Sequence, residues 1–152
     1  MPNEIRLKDI ARATFTITLA SLANLSARQS TMISNPNDYP SANITLQIRS
    51  GGVAPTAGTV YEVYLIRGDG VERDDNAGAT DATIVIENAT LLGTIVVTAN
   101  TAKDFTKSFD TTPAGPLGIE WGIAVRNASG QALDATEANH VKGYQYFVPE
   151  IQ

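Results

Sequence analysis

Apolar and polar residues alternate along many short segments of this chain, and turn-forming residues separate the segments. A period of two predicts strands with one buried and one exposed face. The alternation is clearest in 118–126. There Trp121 shares its predicted core-facing side with Ile119 and Ile123, which assigns the indole to the core. The predicted strands are 14–19, 26–34, 43–49, 59–67, 84–86, 91–98, 103–110, 118–126 and 144–148, of which 26–34 is the weakest.

The strand pattern predicts an all-β fold. The segments amount to about eight strands, no segment has a convincing helical pattern, and 91–98 is so continuously apolar that it is expected to be a central strand. Short strands with turns between them indicate a sandwich of two antiparallel sheets. Eight strands in 152 residues fit a jelly roll, with an immunoglobulin-like sandwich as the alternative. A chain of this length needs neither disulfides nor a metal to fold.

The N-terminal segment differs from the rest of the chain. Residues 1–12 mix charged residues with Ile5, Leu7 and Ile10. A terminal segment with so little apolar surface is loose when alone, so it is predicted to be an arm that orders on contact with another molecule. A single sandwich domain then occupies 13–152. Two polar segments, 35–40 and 68–81, are predicted to be long loops.

Charge and composition exclude several classes of function. The formal net charge is −5, the pI is about 4.7 and no cluster of Lys or Arg is present, so nucleic acid is not an expected partner. The absence of cysteine excludes disulfides and thiol catalysis. The first residues lack the apolar core of a secretion signal, and no apolar run approaches about 20 residues. We therefore expect a soluble protein made in a cytoplasm, with no membrane partner.

Residues suited to catalysis are sparse. His140 is the only histidine, and it is predicted to be a surface or loop residue because no nucleophile pattern accompanies it. One imidazole is too few for a typical transition-metal site. Gly51 and Gly52 lack the helix and lysine of a phosphate-binding loop. The sequence therefore predicts that the protein is not an enzyme and uses no cofactor.

The segment 69–78 gathers acidic side chains around glycines. Hard oxygen ligands on such a loop suit calcium. The spacing is not that of the helix–loop–helix calcium motif, which needs acids at alternate positions and a glutamate at the twelfth. A solvated acidic loop is the preferred interpretation, with a calcium site as the alternative. The carboxylates are Asp69, Glu72, Asp74 and Asp75.

The aromatic residues offer a second candidate surface. Exposed tyrosines can stack on sugars, whereas buried ones pack the core or its rim. Core or rim packing is preferred for the group, with Tyr64 and one of the C-terminal tyrosines as the candidates for exposure. The aromatics concerned are Tyr61, Tyr64, Trp121, Tyr144 and Tyr146.

The stretch 121–133, WGIAVRNASGQAL, follows a Pro/Gly turn. It resembles the C-terminal pattern of small virion proteins of tailed bacteriophages, in which a strand W-G-I-x-V-x-N is followed by S-G-x-A-L. The segments 60–65 and 92–97 are similar in kind, and the likeness covers 42–133. Proteins of this type include capsid decoration (cement) proteins, which bridge capsid subunits on the outside of the head, and components of tails or fibres.

The resemblance implies a structural virion protein that is made in the host cytoplasm and located on the capsid surface. It implies the major capsid protein as partner and a homotrimer as the oligomeric state. The alternative is a carbohydrate- or receptor-binding β-sandwich module of a phage tail or fibre. We expect the arm and the two polar loops to bind the partner, through Ile5, Leu7, Ile10, Asn37, Tyr39, Asp74 and Asp75.

Overall fold

The structure, a computed structural model, describes residues 5–8 and 10–151. It confirms the all-β prediction, because two antiparallel sheets pack face to face as a sandwich. Only short 3₁₀ turns occur besides strands in the described part, at Asp74–Asn76, Thr112–Ala114 and Glu137–Asn139. The strands are β1 (Ile5–Lys8), β2 (Ala13–Thr14), β3 (Ala27–Gln29), β4 (Ile33–Ser34), β5 (Ser41–Arg49), β6 (Val60–Gly68), β7 (Ala82–Ile84), β8 (Thr90–Val96), β9 (Asp104–Asp110), β10 (Glu120–Ala128) and β11 (Val141–Ile151).

The strand order is that of a jelly roll. The first sheet has the order β1-β11-β5-β9, with β2 also on β11; the second has the order β7-β3-β10-β6-β8, with β4 also on β10. β1 and β2 therefore form one interrupted strand position, and so do β3 and β4. With β7 set aside, the chain has eight strand positions in sequence order. Position one pairs with position eight (β1 with β11), two with seven (β3 with β10), three with six (β5 with β9) and four with five (β6 with β8). This nesting is how a jelly roll wraps one long antiparallel hairpin into two sheets.

The main core lies between the two sheets and is apolar. Trp121 is fully buried there, as predicted, against Phe15 and Tyr144 in edge-on contacts of 5.5 and 5.2 Å. A smaller cluster of Met32, Ile66, Ala77 and Ala124 forms the second apolar contact region. No helix in the described ranges is long and apolar enough to cross a membrane.

The predicted strand 14–19 is only partly right. Phe15, Ile17 and Leu19 are buried in alternation, as predicted, but ladder pairing to β11 ends at Thr14. The reason is that the chain then crosses from one sheet to the other. The Phe15 N–H still donates to the Lys142 carbonyl of β11. The Thr16 carbonyl, in contrast, accepts the Thr31 N–H, which lies between β3 and β4 in the other sheet.

Two further predictions from the apolar pattern are wrong. The segment 91–98 is not central, because β8 pairs only with β6 and leaves Leu91 and Val96 exposed at the sheet edge. Ile119 does not face the core, and its side chain is 55% exposed. β10 begins one residue later, and Gly118 has a φ of +78°, a turn conformation that breaks the alternation before the strand starts.

Candidate functional site

The predicted arm and both predicted loops lie at the same end of the sandwich. β6 ends at Gly68 opposite Glu120, the first residue of β10, and β5 begins at Ser41 opposite Phe147. β11 continues past that point and pairs with β1 from residue 148 to 151. We call this surface the loop end; it comprises 34–40, 68–74, 115–120 and the β1/148–151 ribbon. Residues 1–4 and 9 of the arm lie outside the described residues.

The 35–40 loop is held in shape by one buried amide. Nδ2 of Asn35 donates to the Tyr39 carbonyl at 3.0 Å and to the Gly118 carbonyl at 2.8 Å, while Oδ1 accepts the Tyr39 N–H at 3.1 Å. The buried Asn35 therefore closes its own loop and ties it to the 115–120 turn. Asn37 lies at the exposed tip and donates to the Tyr39 hydroxyl at 3.3 Å.

Tyr39 connects this loop to the core. Its ring packs on Tyr146 with the ring centroids 4.4 Å apart, and the Tyr146 hydroxyl accepts the Trp121 indole N–H at 3.0 Å. Burial raises the pKa of Tyr146, so the hydroxyl stays neutral at physiological pH. The exposed loop is thus anchored through Tyr39 and Tyr146 to Trp121, a large and fully buried residue of β10.

The 68–74 segment is also held rigidly. Asp69 accepts the N–H groups of Val71 and Glu72, both at 2.8 Å, and these bonds lower the pKa of its carboxyl. Arg73 makes two hydrogen bonds, of 2.9 and 3.0 Å, to the Glu120 carboxylate, and both side chains are largely buried. This leaves Val71, 77% exposed, at the tip.

Asp74 and Asp75 are built into the base of the loop. Asp74 accepts the Arg67 N–H at 3.0 Å. Asp75 accepts the N–H groups of residues 87–89; burial acts to raise its pKa, but these bonds outweigh it and the pKa is lowered. The carboxylates therefore order the chain, which a merely solvated loop would not require. Among the described residues, no group of three or more Asp, Glu or His side chains is placed to hold a metal ion.

A groove of about 380 Å³ separates the two loops. Pro36 and Asp38 line one side, Gly70 the other, and Ile119 and Glu120 contribute to its lining. Ile119 is the functional candidate that the sequence pattern missed, because it was assigned to the core face of the strand. The Pro-Leu-Gly turn directly before it was the available signal, since such a turn ends the alternation.

The predicted partner-binding residues are distributed unevenly. Asn37 and Tyr39 belong to the 35–40 loop but do not line the groove between the loops; Tyr39 lines a smaller depression beside Pro116. Ile5 and Leu7 lie in β1 at the same end. The Ile10 carbonyl accepts the side-chain amide of Gln145 at 2.8 Å on β11. Asp74 lines the adjoining depression with Arg67 and Gly118, whereas Asp75 binds the backbone of 87–89.

His140 lies in the connection before β11, outside any helix or strand, so it is a loop residue as predicted, but it is buried and not at the surface. The side chain is 4% exposed, its Nδ1 accepts the Arg49 N–H at 3.2 Å, and Nε2 lies 3.2 Å from the Asp134 carbonyl. The imidazole is buried because it joins the end of β5 to the turn before β11. His140 contacts β5 at Arg49, whereas the loop end lies at Ser41, the other end of that strand. His140 is therefore not part of the loop end.

Comparison with known proteins adds no relative to this description. No family model matches the chain, and a search of curated proteins gives no significant match. The function must therefore be argued from the surfaces described above.

Proposed function

We propose that this protein is a structural virion protein, a capsid decoration protein that binds the outside of a phage head through the loop end. The observation that carries the proposal is that the N-terminal strand and both polar loops lie at one end of the sandwich, where an exposed groove separates the two loops. These three segments are far apart in sequence. The resemblance of 42–133 to small virion proteins of tailed phages supports a structural virion protein, and it fits head decoration and tail or fibre components alike.

The β1/148–151 ribbon is suited to ordering on a partner. Within the described strands, β1 is the only partner of 148–151, since β5 begins at Ser41 opposite Phe147. An isolated two-stranded ribbon is at best marginally stable in water. Its free edge can pair with a strand of another protein, which supplies main-chain hydrogen bonds. This agrees with an arm that lies along a neighbouring capsid subunit.

The groove between the loops supplies the apolar part of the contact. Ile119 is large, exposed and apolar and lines the groove beside Glu120, which pairs with Arg73. Val71, at the tip of the 68–74 segment, is a second exposed apolar side chain at this end. The Asn35 and Asp69 hydrogen bonds fix both loops in advance. A preformed surface loses little conformational entropy on binding, so more of the contact energy is available for affinity.

Decoration stabilises a capsid by linkage. A ligand that binds only the assembled shell stabilises that shell by a free energy that grows with the logarithm of the ratio of ligand concentration to Kd. A rigid sandwich with a pairing ribbon meets this requirement without any catalysis. A homotrimer at a local three-fold axis would present three loop ends to neighbouring subunits at once, which strengthens binding by avidity.

The test is co-sedimentation of the purified protein with phage heads assembled without it, followed by negative-stain microscopy. The wild-type protein is expected to bind heads. Ile119→Asp is expected to weaken binding by more than about tenfold, or about 1.4 kcal/mol. Val53→Asp is the matched control, because Val53 is also exposed but lies just beyond the opposite end of β5.

A second variant tests the arm. Deletion of residues 1–12 should leave a folded sandwich that no longer binds heads. Undiminished binding by the truncated protein would exclude the arm as the anchor, and undiminished binding by Ile119→Asp would exclude the groove. Binding to tails and not to heads would place the protein in the tail or fibre and overturn the decoration role.

A further inference from the structure

A second groove lies on the outer face of the six-stranded sheet, away from the loop end. It has a volume of about 550 Å³ and runs between the β6/β10 pair and the segment 83–86. Tyr64 and Arg126 line its floor, and Leu25 and Val85 form apolar walls. A groove of this size, with apolar walls and a few polar groups, is typical of small-molecule sites.

The polar groups in the groove are held in fixed positions by Glu62. The Tyr64 hydroxyl and Nη1 of Arg126 both donate to the same carboxylate oxygen, Oε2, at 2.9 Å. Glu62 and Arg126 pair directly across the two strands in register, and Tyr64 lies two residues further along β6, opposite Ala124.

The exposed polar groups of the groove define which ligands it can recognise. Arg126 donates to Glu62 through Nη1 and also interacts with the neighbouring Tyr64 side chain, while its own side chain stays 36% exposed at the groove. The Tyr64 ring is only partly buried, and burial together with Glu62 raises the pKa of its hydroxyl, which therefore stays protonated. The groove thus offers N–H donors beside a partly exposed aromatic ring.

The charge of the site selects the class of ligand. Glu62 balances the charge of Arg126, so the pair as a whole is neutral. The net charge of the chain is −5, which disfavours anionic ligands. A neutral ligand with many hydroxyl groups on one edge and an apolar C–H face on the other matches both the donors and the ring.

We propose that this groove binds a neutral saccharide, with the C–H face of one sugar ring packed on Tyr64 and its hydroxyls accepting hydrogen bonds from Arg126. Val85, 73% exposed, and Leu25 cover the apolar edges of the sugar. Ser26 and Thr83 add hydroxyl groups along the walls. The proposal is independent of the capsid-binding role, since it uses a different surface and different residues.

The experiment is a two-dimensional NMR titration of the ¹⁵N-labelled full chain. The probes are glucose, galactose, mannose, N-acetylglucosamine and the disaccharides maltose and lactose, with glucuronic acid as the charged comparison. At least one neutral sugar is expected to shift the amide signals of 83–86, with little effect on signals from the loop end. Glucuronic acid is expected to bind more weakly than glucose.

Variants separate a specific site from a general surface effect. Tyr64→Ala and Val85→Asp should each weaken binding by more than about tenfold. Val53→Asp is the control, since Val53 is 61% exposed and does not line the groove. Val85→Asp changes an exposed side chain, so it remains informative if Tyr64→Ala fails to fold.

Three results would overturn the proposal. They are an unchanged spectrum with every neutral sugar, tighter binding of glucuronic acid than of glucose, and unchanged affinity in Val85→Asp. None of these three results would affect binding to phage heads. The saccharide proposal and the capsid-binding proposal can therefore fail independently of each other.

Discussion

The indole N–H of Trp121 donates to the hydroxyl of Tyr146 at 3.0 Å, and this hydrogen bond links the two sheets of the sandwich through the core. Trp121 belongs to β10 in one sheet and Tyr146 to β11 in the other. Because Tyr39 packs on the same tyrosine, the bond also connects the core to the loop end. The shape of the candidate capsid-binding surface therefore depends on a contact in the core.

Tyr146→Phe is expected to destabilise the fold by about 1–3 kcal/mol, because it leaves the fully buried indole N–H without a partner. Urea unfolding followed by the fluorescence of Trp121 measures the change. Tyr39→Phe is the control, since among the described residues the Tyr39 hydroxyl bonds only the exposed Asn37. Its effect should stay within about 0.5 kcal/mol. Equal stability of the two variants would contradict the structural role of the bond.

The sequence pattern predicted the fold well because the hydrophobic alternation is a property of single strands. The burial of Trp121 and the bounds of β5, β9 and most of β10 follow from local spacing. The edge position of β8 does not, because an apolar run does not specify its neighbours in the sheet. Ile119 was misassigned because one turn residue, Gly118, shifts the strand start.

The candidate sites were harder to predict than the strands. The two loops were identified by composition, but their convergence depends on the nested pairing of strands that are distant in sequence. The Glu62–Arg126 pair depends on the register between β6 and β10. His140 is buried through bonds to β5 and to a turn, and no local pattern encodes such contacts.

His140→Ala is expected to destabilise the protein by about 1–3 kcal/mol. The substitution removes the acceptor of the Arg49 N–H and leaves a cavity at a buried position. Thr136→Ala, an exposed change on the same turn, should alter stability by less than about 0.5 kcal/mol. Urea midpoints measure both. A neutral effect of His140→Ala would show that the imidazole does not hold β5 to this turn.

Stability should fall in acid partly through Glu137. Burial acts to raise the pKa of this carboxyl, but the Lys142 ammonium and the N–H groups of Ala20 and Leu19 outweigh it, and the pKa lies below its ordinary 4.5. A lowered pKa in the fold contributes stability that is present above pH 4.5 and is lost as the pH falls through the folded value. Asp81, bound by Arg28 and Thr18, acts in the same direction from its ordinary 3.8.

Glu137→Gln is therefore expected to lower stability at pH 7 and to flatten the decline below pH 4.5. Thermal melts at a series of pH values test this. The control is Glu87→Gln, because Glu87 is exposed and its hydrogen bond to Asp75 is made by its backbone N–H. An acid decline in Glu137→Gln as steep as in the wild type would assign the pH dependence to other carboxyls.

Tyr61→Phe should have the opposite sign to Tyr146→Phe, although both changes remove one hydroxyl oxygen. The Tyr61 side chain is fully buried, and its hydroxyl makes no hydrogen bond to the described residues. The Ser129 hydroxyl, which acts to lower the pKa of Tyr61, donates to Asn127. Replacing an unpaired buried hydroxyl is expected to be neutral or to stabilise the protein by about 1 kcal/mol.

The loss of stability at high pH supplies a second measurement for Tyr61→Phe. Burial raises the pKa of Tyr61 from 10.0 to about 12, so the folded protein holds this proton more tightly than the unfolded chain does. The resulting stability is complete below pH 10 and is lost between pH 10 and about 12. Tyr61→Phe should reduce that loss. If Tyr61→Phe were less stable than the wild type and lost as much stability at high pH, the Tyr61 hydroxyl would be hydrogen-bonded in the fold.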